Sequence, residues 1–464
     1  MPPIPLLPLL LSLLTSLLPL VTCASPMVYF WGSSPVLANE TALLLGGPSL
    51  LSVAFIQLCP GSPPSNASCG LYPNAQATPA ASKVTLPSLD IFSASPCLTS
   101  SPASCSPSPG VLLNSPLVKW TQADLGSSAS YPGGSVRLFG ESLAFASGAC
   151  VPTAAANSSA ALASASVRAV PLGGGAASPL QLTLASCYAL TAQLPAGLPL
   201  GAYSLQVRNG LPSCGWTAAG QLSVQPPPAP WPATLYPVTG AGGVWGALAA
   251  ARAAGGGVVY FPRGTYTFNS TLTLDAIPPY TTLLGESAAS VSLCWRDSAA
   301  PVRTSALIQG SAGHFALRNL SVYVQGNFSD VLGDGGWPGL QASGLVVYAL
   351  GYYGLLDNAS APFHGRAMPV GSGSSQGSLV SLSGSNWRVS DSQFYGGGSR
   401  GFYVHGSDLS APSWLIGSSN GVLQRSLVHG SFNTYGLESV NGIVMEDNVF
   451  EGDLTCYGSF MSSE

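Results

Sequence analysis

Apolar positions along this chain come in short runs separated by Ser, Gly, Pro and Ala clusters, a spacing that predicts strands rather than helices. Two segments depart from it. Ile4 to Val21 is an almost unbroken series of Leu and Pro, followed by the small residues Thr22 and Ala24. That pattern predicts a secretory signal peptide over 1–24 with the mature chain starting near Ser25. The second is the Ala-rich run Val244–Ala254, closed by Gly255-Gly256-Gly257, which predicts a helix with a glycine stop.

The Pro-rich segment 226–234 divides the chain. Upstream, the alternating runs predict two immunoglobulin-like β-sandwiches, over 26–117 (disulfide-rich) and 118–225. Leu44-Leu-Gly-Gly-Pro-Ser-Leu50 is weakly echoed by Leu138-Phe-Gly-Glu-Ser-Leu143, at about the length of one such domain. Tyr203–Arg208 is expected to form the last hairpin by turning at Asn209-Gly210, with Leu222–Val224 closing the sheet.

Downstream, over 235–464, strand-like runs begin with Val258–Phe261, Leu272–Leu274 and Thr282–Leu284. A pattern then recurs at Phe315–Val322, Trp387–Phe394, Gly421–Val428 and Ile443–Phe450. Aligning Leu317, Val389, Leu423 and Met445 gives steps of 72, 34 and 22 residues. The shortest step suits one coil of a parallel β-helix, the longest about three, and the middle one a coil with an insertion. Segment 326–376, which carries His364, is expected to be an insertion that could cover a groove. The fold class is therefore all-β: N-terminal immunoglobulin-like sandwiches followed by a right-handed parallel β-helix. The helix is expected to be incomplete at its C-terminus, with an open end available for self-association.

Composition narrows the partners. Charged residues are 7% of the chain, the formal net charge is -4, and the only lysines are Lys83 and Lys119. Phosphate neutralisation needs clustered cations, so nucleic acid is excluded as a partner. No later stretch is long and apolar enough to span a bilayer, so no membrane is expected for the mature form. Secretion agrees with seven N-x-S/T glycosylation sequons, at Asn39, Asn66, Asn157, Asn269, Asn319, Asn327 and Asn358. Nine cysteines remain after Cys23 leaves, crowded into the first half, where disulfides are expected in a pattern that spacing does not determine.

Gly255-Gly-Gly-Val-Val-Tyr-Phe-Pro-Arg-Gly-Thr-Tyr266, with Leu272-Thr-Leu-Asp275 and Thr282-Leu-Leu-Gly-Glu286, resembles the opening of the pectate-lyase superfamily. Those proteins are right-handed parallel β-helices that include pectate lyases and polygalacturonase-related proteins. The resemblance covers about 195–464 and implies a polysaccharide or glycan partner held on the outside of the helix. This chain departs from the family in two ways. It has Thr239-Gly-Ala-Gly-Gly243 where the family carries an acidic Gly-Asp-Gly and Asp-Asp-Thr stretch. It also lacks the polygalacturonase signatures Asn-Thr-Asp, Asp-Asp, Gly-His-Gly and Arg-Ile-Lys. Lyase, glycoside hydrolase and non-catalytic matrix or adhesin-like binding all stay open.

Within the repeat, Gly401–Gly406 and Thr434–Ser439 occupy the strand before each aligned block. With Phe402, Val404, Tyr435 and Leu437 inward, Tyr403, His405 and Glu438 face outward. His405 and Glu438 then sit one strand apart, at about 4.8 Å. Arg400 and Asp408 would lie on adjoining turns, and the loop 408–419 would supply Trp414. A His–carboxylate pair beside an Arg suits acid–base catalysis, with Tyr403 and Trp414 as sugar-binding surfaces; it equally suits a polar pair on a solvated face. Asn319, Asp391, Arg425 and Asp447 align in all four repeats, at a tight turn that favours left-handed backbone. Glu446, Asp447, Glu451 and Asp453 form the densest acidic patch, a candidate for Ca2+ or a solvated turn.

Overall fold

A computed structural model describes residues 29–30, 43–46, 55–60, 69–73, 76–78, 81–84, 92–97, 111–147, 149–239, 243–268, 274–297, 306–310, 313–326, 330–334, 337–349, 378–396, 400–405, 420–429, 433–438 and 442–451. The chain forms two compact units that change over between Pro226 and Pro227, with Leu125–Ser127 joining the second.

In the first unit, strands between Tyr29 and Leu113 form two antiparallel four-stranded sheets. Strands between Leu117 and Val224 form one eight-stranded sheet around a single core that includes Val136, Leu138, Val167, Leu190, Leu205 and Leu222. All its pairings are antiparallel except that of Ala129–Ser130 with Thr217–Val224. The sheet returns on itself, bringing Thr217–Val224 beside Leu117–Ala123. Gly201–Arg208 does pair antiparallel with Thr217–Val224, but Asn209-Gly210 is not a two-residue turn between them. Asn209 is buried, and its amide nitrogen donates to the carbonyls of Asn114 and Ser142 at 2.8 Å each. The connection therefore runs on through Gly215. Cys150 and Cys187 form a disulfide, packed with Phe145, Leu211 and Cys214.

The second unit is a parallel β-helix. Its helix, Gly243–Ala253, ends where the Gly256 N–H bonds back to the Ala251 carbonyl at 2.8 Å. Gly256 has φ +129°, and a Cβ there would lie 2.6 Å from the Tyr280 carbonyl oxygen, so only glycine fits. Three parallel sheets of eight, seven and six strands follow. Each coil contributes a strand to each in turn, as Gly257–Phe261, Gly264–Phe268 and Leu274–Ile277 do in the first coil. In register along the first sheet stand Tyr236, Val259, Leu283, Leu317, Ala342, Val389, Leu423 and Met445. The step from Leu317 to Val389 is thus two coils rather than three, because Ala342 occupies the rung between them. Segment 326–376 is likewise not a single insertion: Asp330–Gly333, Gln341–Ser343 and Val346–Ala349 build one complete coil. The rest of it, including His364, lies outside the described residues.

Apolar inward positions of all three sheets merge into one core, where Trp387, Phe394 and Phe402 are fully buried. Trp387 packs on Phe402 with ring centroids 5.6 Å apart, and a Cβ at Gly421 would lie 2.1 Å from the Trp387 ring. Trp387 thus uses space that the glycine of the next coil leaves open. Trp387→Ala is expected to lower unfolding stability by about 3–5 kcal/mol, measured by urea denaturation of the purified protein.

Candidate functional site

The sequence-predicted pair lies on the third sheet. Arg400–His405 and Asn433–Glu438 pair in parallel, with Arg400 opposite Asn433, Tyr403 opposite Gly436, and His405 opposite Glu438. Phe402 and Val404 are buried in the core and Tyr403 is half-buried, so the strand alternates as a sheet with one wet face does. His405 and Glu438 are consequently neighbours across one strand spacing. Asp408, Trp414 and the loop that carries them lie outside the described residues. So do the sequon asparagines Asn39, Asn66, Asn269, Asn327 and Asn358. Asn157 and Asn319 are exposed.

The corner between the first and second sheets takes the residues that the repeat had aligned. Asn319, Asp391, Arg425 and Asp447 have φ of 55°, 51°, 48° and 53°, and Gly344 fills the rung between Asn319 and Asp391 with φ 62°. The alignment thus marks a geometric requirement. Arginine is an unusual left-handed residue, and here Arg425 meets Asp391 through both carboxylate oxygens, at 2.7 and 2.9 Å. The hydrogen bond from Arg425 holds the Asp391 carboxyl below its ordinary pKa. The hydrogen bond that Arg425 donates to Asp391, with the charges of Asp391, Asp447 and Glu446, raises that of Arg425.

Of the acidic patch, Glu446, Asp447 and Glu451 are described. Glu451 contacts the Nδ1 of His429 at 3.1 Å, and Asp447 and Glu446 lie beside Arg425. Asp453 is outside the described residues. Among the described residues no three His, Cys, Asp or Glu side chains gather as a metal site.

The second sheet carries a feature the sequence reading passed over. Tyr323, Tyr348, Tyr395, His429 and Glu451 stand in register on its outer face. Tyr323 and Tyr348 stack with centroids 5.0 Å apart and planes at 13°; Tyr348 and Tyr395 stack at 4.9 Å and 9°. His429 then meets Tyr395 edge-on at 6.1 Å. The signal was one residue beyond the aligned blocks, since Tyr323, Tyr395, His429 and Glu451 each immediately follow one. Because the rings cover one another's faces, the stripe presents phenol edges and hydroxyls, and the Tyr395 hydroxyl donates to Gln393 at 2.8 Å. Such a row can offer hydrogen bonds at a regular repeat along the helix axis.

No family model matches the chain, and no curated protein matches it. Among solved structures it is similar to the A-module of the Azotobacter vinelandii mannuronan C-5 epimerase AlgE6, at 16% identity and TM-score 0.32, over 46% of this chain and 52% of that one. The AlgE4 A-module from the same organism gives 14% identity and TM-score 0.27, over 46% and 67%. The catalytic domain of a GH87 alpha-1,3-glucanase in complex with nigerose gives 13% and 0.26, over 69% and 58%. The chain thus spans about half the length of the AlgE6 module. The β-helix stands on the strand pairing described above, to which likenesses of this size add nothing.

Two outcomes are expected. Tyr348→Ala, which breaks two ring stacks, should destabilise the protein by about 1–3 kcal/mol in chemical denaturation, whereas Tyr348→Phe should be neutral. A carboxylate whose folded pKa is depressed stabilises the fold above its unfolded pKa, about 3.9, and loses that contribution as pH falls through the folded value. Asp391→Asn should therefore lose less stability than the parent protein as pH is lowered from about 5 to below the folded pKa, in denaturation followed across that range.

Proposed function

We propose that this is a secreted protein whose β-helix engages an extracellular or cell-wall polysaccharide along the outer face of its third sheet. The observation that supports this best is the in-register pairing of His405 with Glu438, on the strand that also carries Tyr403. In this proposal Tyr403 and Trp414 contact sugar rings, while Arg400 and Asp408 flank the His–carboxylate pair. A neutral imidazole next to a carboxylate can take and return a proton, which is what lyase or hydrolase chemistry would ask of His405 and Glu438. Secretion is supported by the apolar leader, by the exposed sequon residues Asn157 and Asn319, and by the Cys150–Cys187 disulfide, a bond typical of oxidising compartments.

A second reading is binding without turnover, as in a matrix or adhesin-like protein. It is favoured by the supply of carboxylates: glycoside hydrolysis uses two, about 5–9.5 Å apart. Of the described residues on the third sheet, the acidic ones besides Glu438 are Asp275, on the Leu274–Ile277 strand, and Asp330, whose strand is separated from that of Glu438 by two others.

Secreted protein incubated with charged and neutral wall polysaccharides, with and without calcium, separates these outcomes. Retention on at least one polysaccharide is expected. New reducing ends or unsaturated-product absorbance, lost in His405→Ala and Glu438→Ala with folding intact, identify an enzyme. Retention without product identifies a binding module, and failure to retain any polysaccharide overturns the proposal.

A further inference from the structure

The eight-stranded sheet of the first unit carries an open cleft of about 520 Å³, between the short helix Ser159–Ser164 and the strands Ser166–Pro171 and Ser178–Ala185. That volume falls within the usual range of small-molecule sites. Leu162, Ala165 and Leu180 give it an apolar side, and Arg168, Gln181 and Trp216 give it a polar rim. The Arg168 guanidinium carbon lies 4.1 Å from the centroid of the Trp216 ring, and Trp216 is 39% exposed. Arg168 Nε donates to Gln206 Oε1 at 2.8 Å. One hydrogen bond and one ring thus hold the guanidinium fork in place, while its two terminal nitrogens have no hydrogen-bond partner among the described residues.

The charge around this cleft is uncompensated. Gln206 is opposite Arg168 and Arg208 is opposite Ser166, so the two arginines lie diagonally on one face of the sheet. Neither has an acidic partner among the described residues. Between 118 and 225 the chain has four cations, Lys119, Arg137, Arg168 and Arg208, against the two acids Asp124 and Glu141. Lys119 and Glu141 bind each other, and Asp124 accepts hydrogen bonds from Ser130 and Ser135. Among the described residues, Arg168 in the cleft and Arg208 diagonal to it on the sheet thus have no acidic partner, in a protein whose net charge is -4.

We infer that this cleft is a second glycan site, selective for a carboxylate-bearing sugar. A planar carboxylate matches the pre-positioned fork of Arg168 and can take two parallel hydrogen bonds from it. The ring carrying that carboxylate would lie against Trp216 and Leu162, with hydroxyls within reach of the Gln181 and Gln206 amides. An uncharged sugar would leave the guanidinium without an anion, so the site discriminates by charge. The inference takes from the proposed function only that the partner is a glycan; it does not depend on the third sheet of the β-helix.

The test uses the full secreted chain and two probes with one backbone: a cello-oligosaccharide and its counterpart oxidised at C6 to the uronate. Calorimetry should show uronate binding that weakens about tenfold or more in Arg168→Gln and in Trp216→Ala. It should weaken in Gln181→Ala, an exposed position chosen to leave folding intact, and be partly kept in Arg168→Lys. Equal affinity for the two probes, or uronate binding untouched by the Arg168, Trp216 and Gln181 variants, overturns the inference and leaves the wider glycan proposal standing. Retention of neutral polysaccharides with no uronate binding does the same. No retention of any polysaccharide overturns both.

Discussion

Parallel pairing in register is the constraint on which the second unit depends. A residue's neighbours along the helix axis are the residues at the same place in the coils on either side, one strand spacing away. The inward row of the first sheet can therefore be apolar throughout, as Val259, Leu283, Leu317, Ala342, Val389 and Leu423 are, and the core continues without a break. The corner row must turn left-handed at every level, and it does so from Asn319 to Asp447. Part of the outer row of the second sheet repeats like on like, and three tyrosines stack because register sets Tyr323, Tyr348 and Tyr395 on successive coils.

Charge obeys the same rule with the opposite preference. Like charges at one strand spacing repel, so a charged row has to alternate in sign. Asp391, Arg425 and Asp447 do so at the corner, and the Asp391–Arg425 bond offsets part of the cost of placing an arginine in left-handed backbone. Glu451 meets His429 in the next row, again pairing an acid with a group that can carry positive charge. The acidic patch that resembles a calcium site when read along the chain is, read across coils, a set of partners for Arg425 and His429.

How much of this was legible in the sequence follows from the same geometry. The coil period, the Ala-rich helix and the corner residues were visible because each repeats in the chain as it repeats in space. The coil through Ala342 was not. Its corner residue is Gly344, with no side chain to align with Asn319, Asp391, Arg425 and Asp447, and its inward residue is the small Ala342, so it carries little of the repeated pattern. The pairing of His405 with Glu438 was legible because alternation fixes a strand's faces, whereas the contributions of Asp408 and Trp414 depended on a loop, whose course no periodicity determines. The Arg168–Trp216 contact was hidden for a different reason. It joins a strand residue to one in the connection after Asn209, and the expected turn at Asn209-Gly210 would have removed that connection altogether.

The two units thus use their few charges differently. In the β-helix, register brings opposite signs into contact at Asp391–Arg425, and that pair is satisfied within the protein. An ion pair already made offers little to an incoming ligand, which would have to replace a partner held at hydrogen-bond distance. In the eight-stranded sheet, antiparallel pairing sets Arg168 opposite a glutamine and Arg208 opposite a serine. Neither partner neutralises a guanidinium, and Trp216 covers one face of Arg168 without cancelling its charge. A protein with so few ionisable groups concentrates its capacity to choose an anionic ligand where a cation has been positioned and left without an anion. The cleft beside Trp216 is such a place.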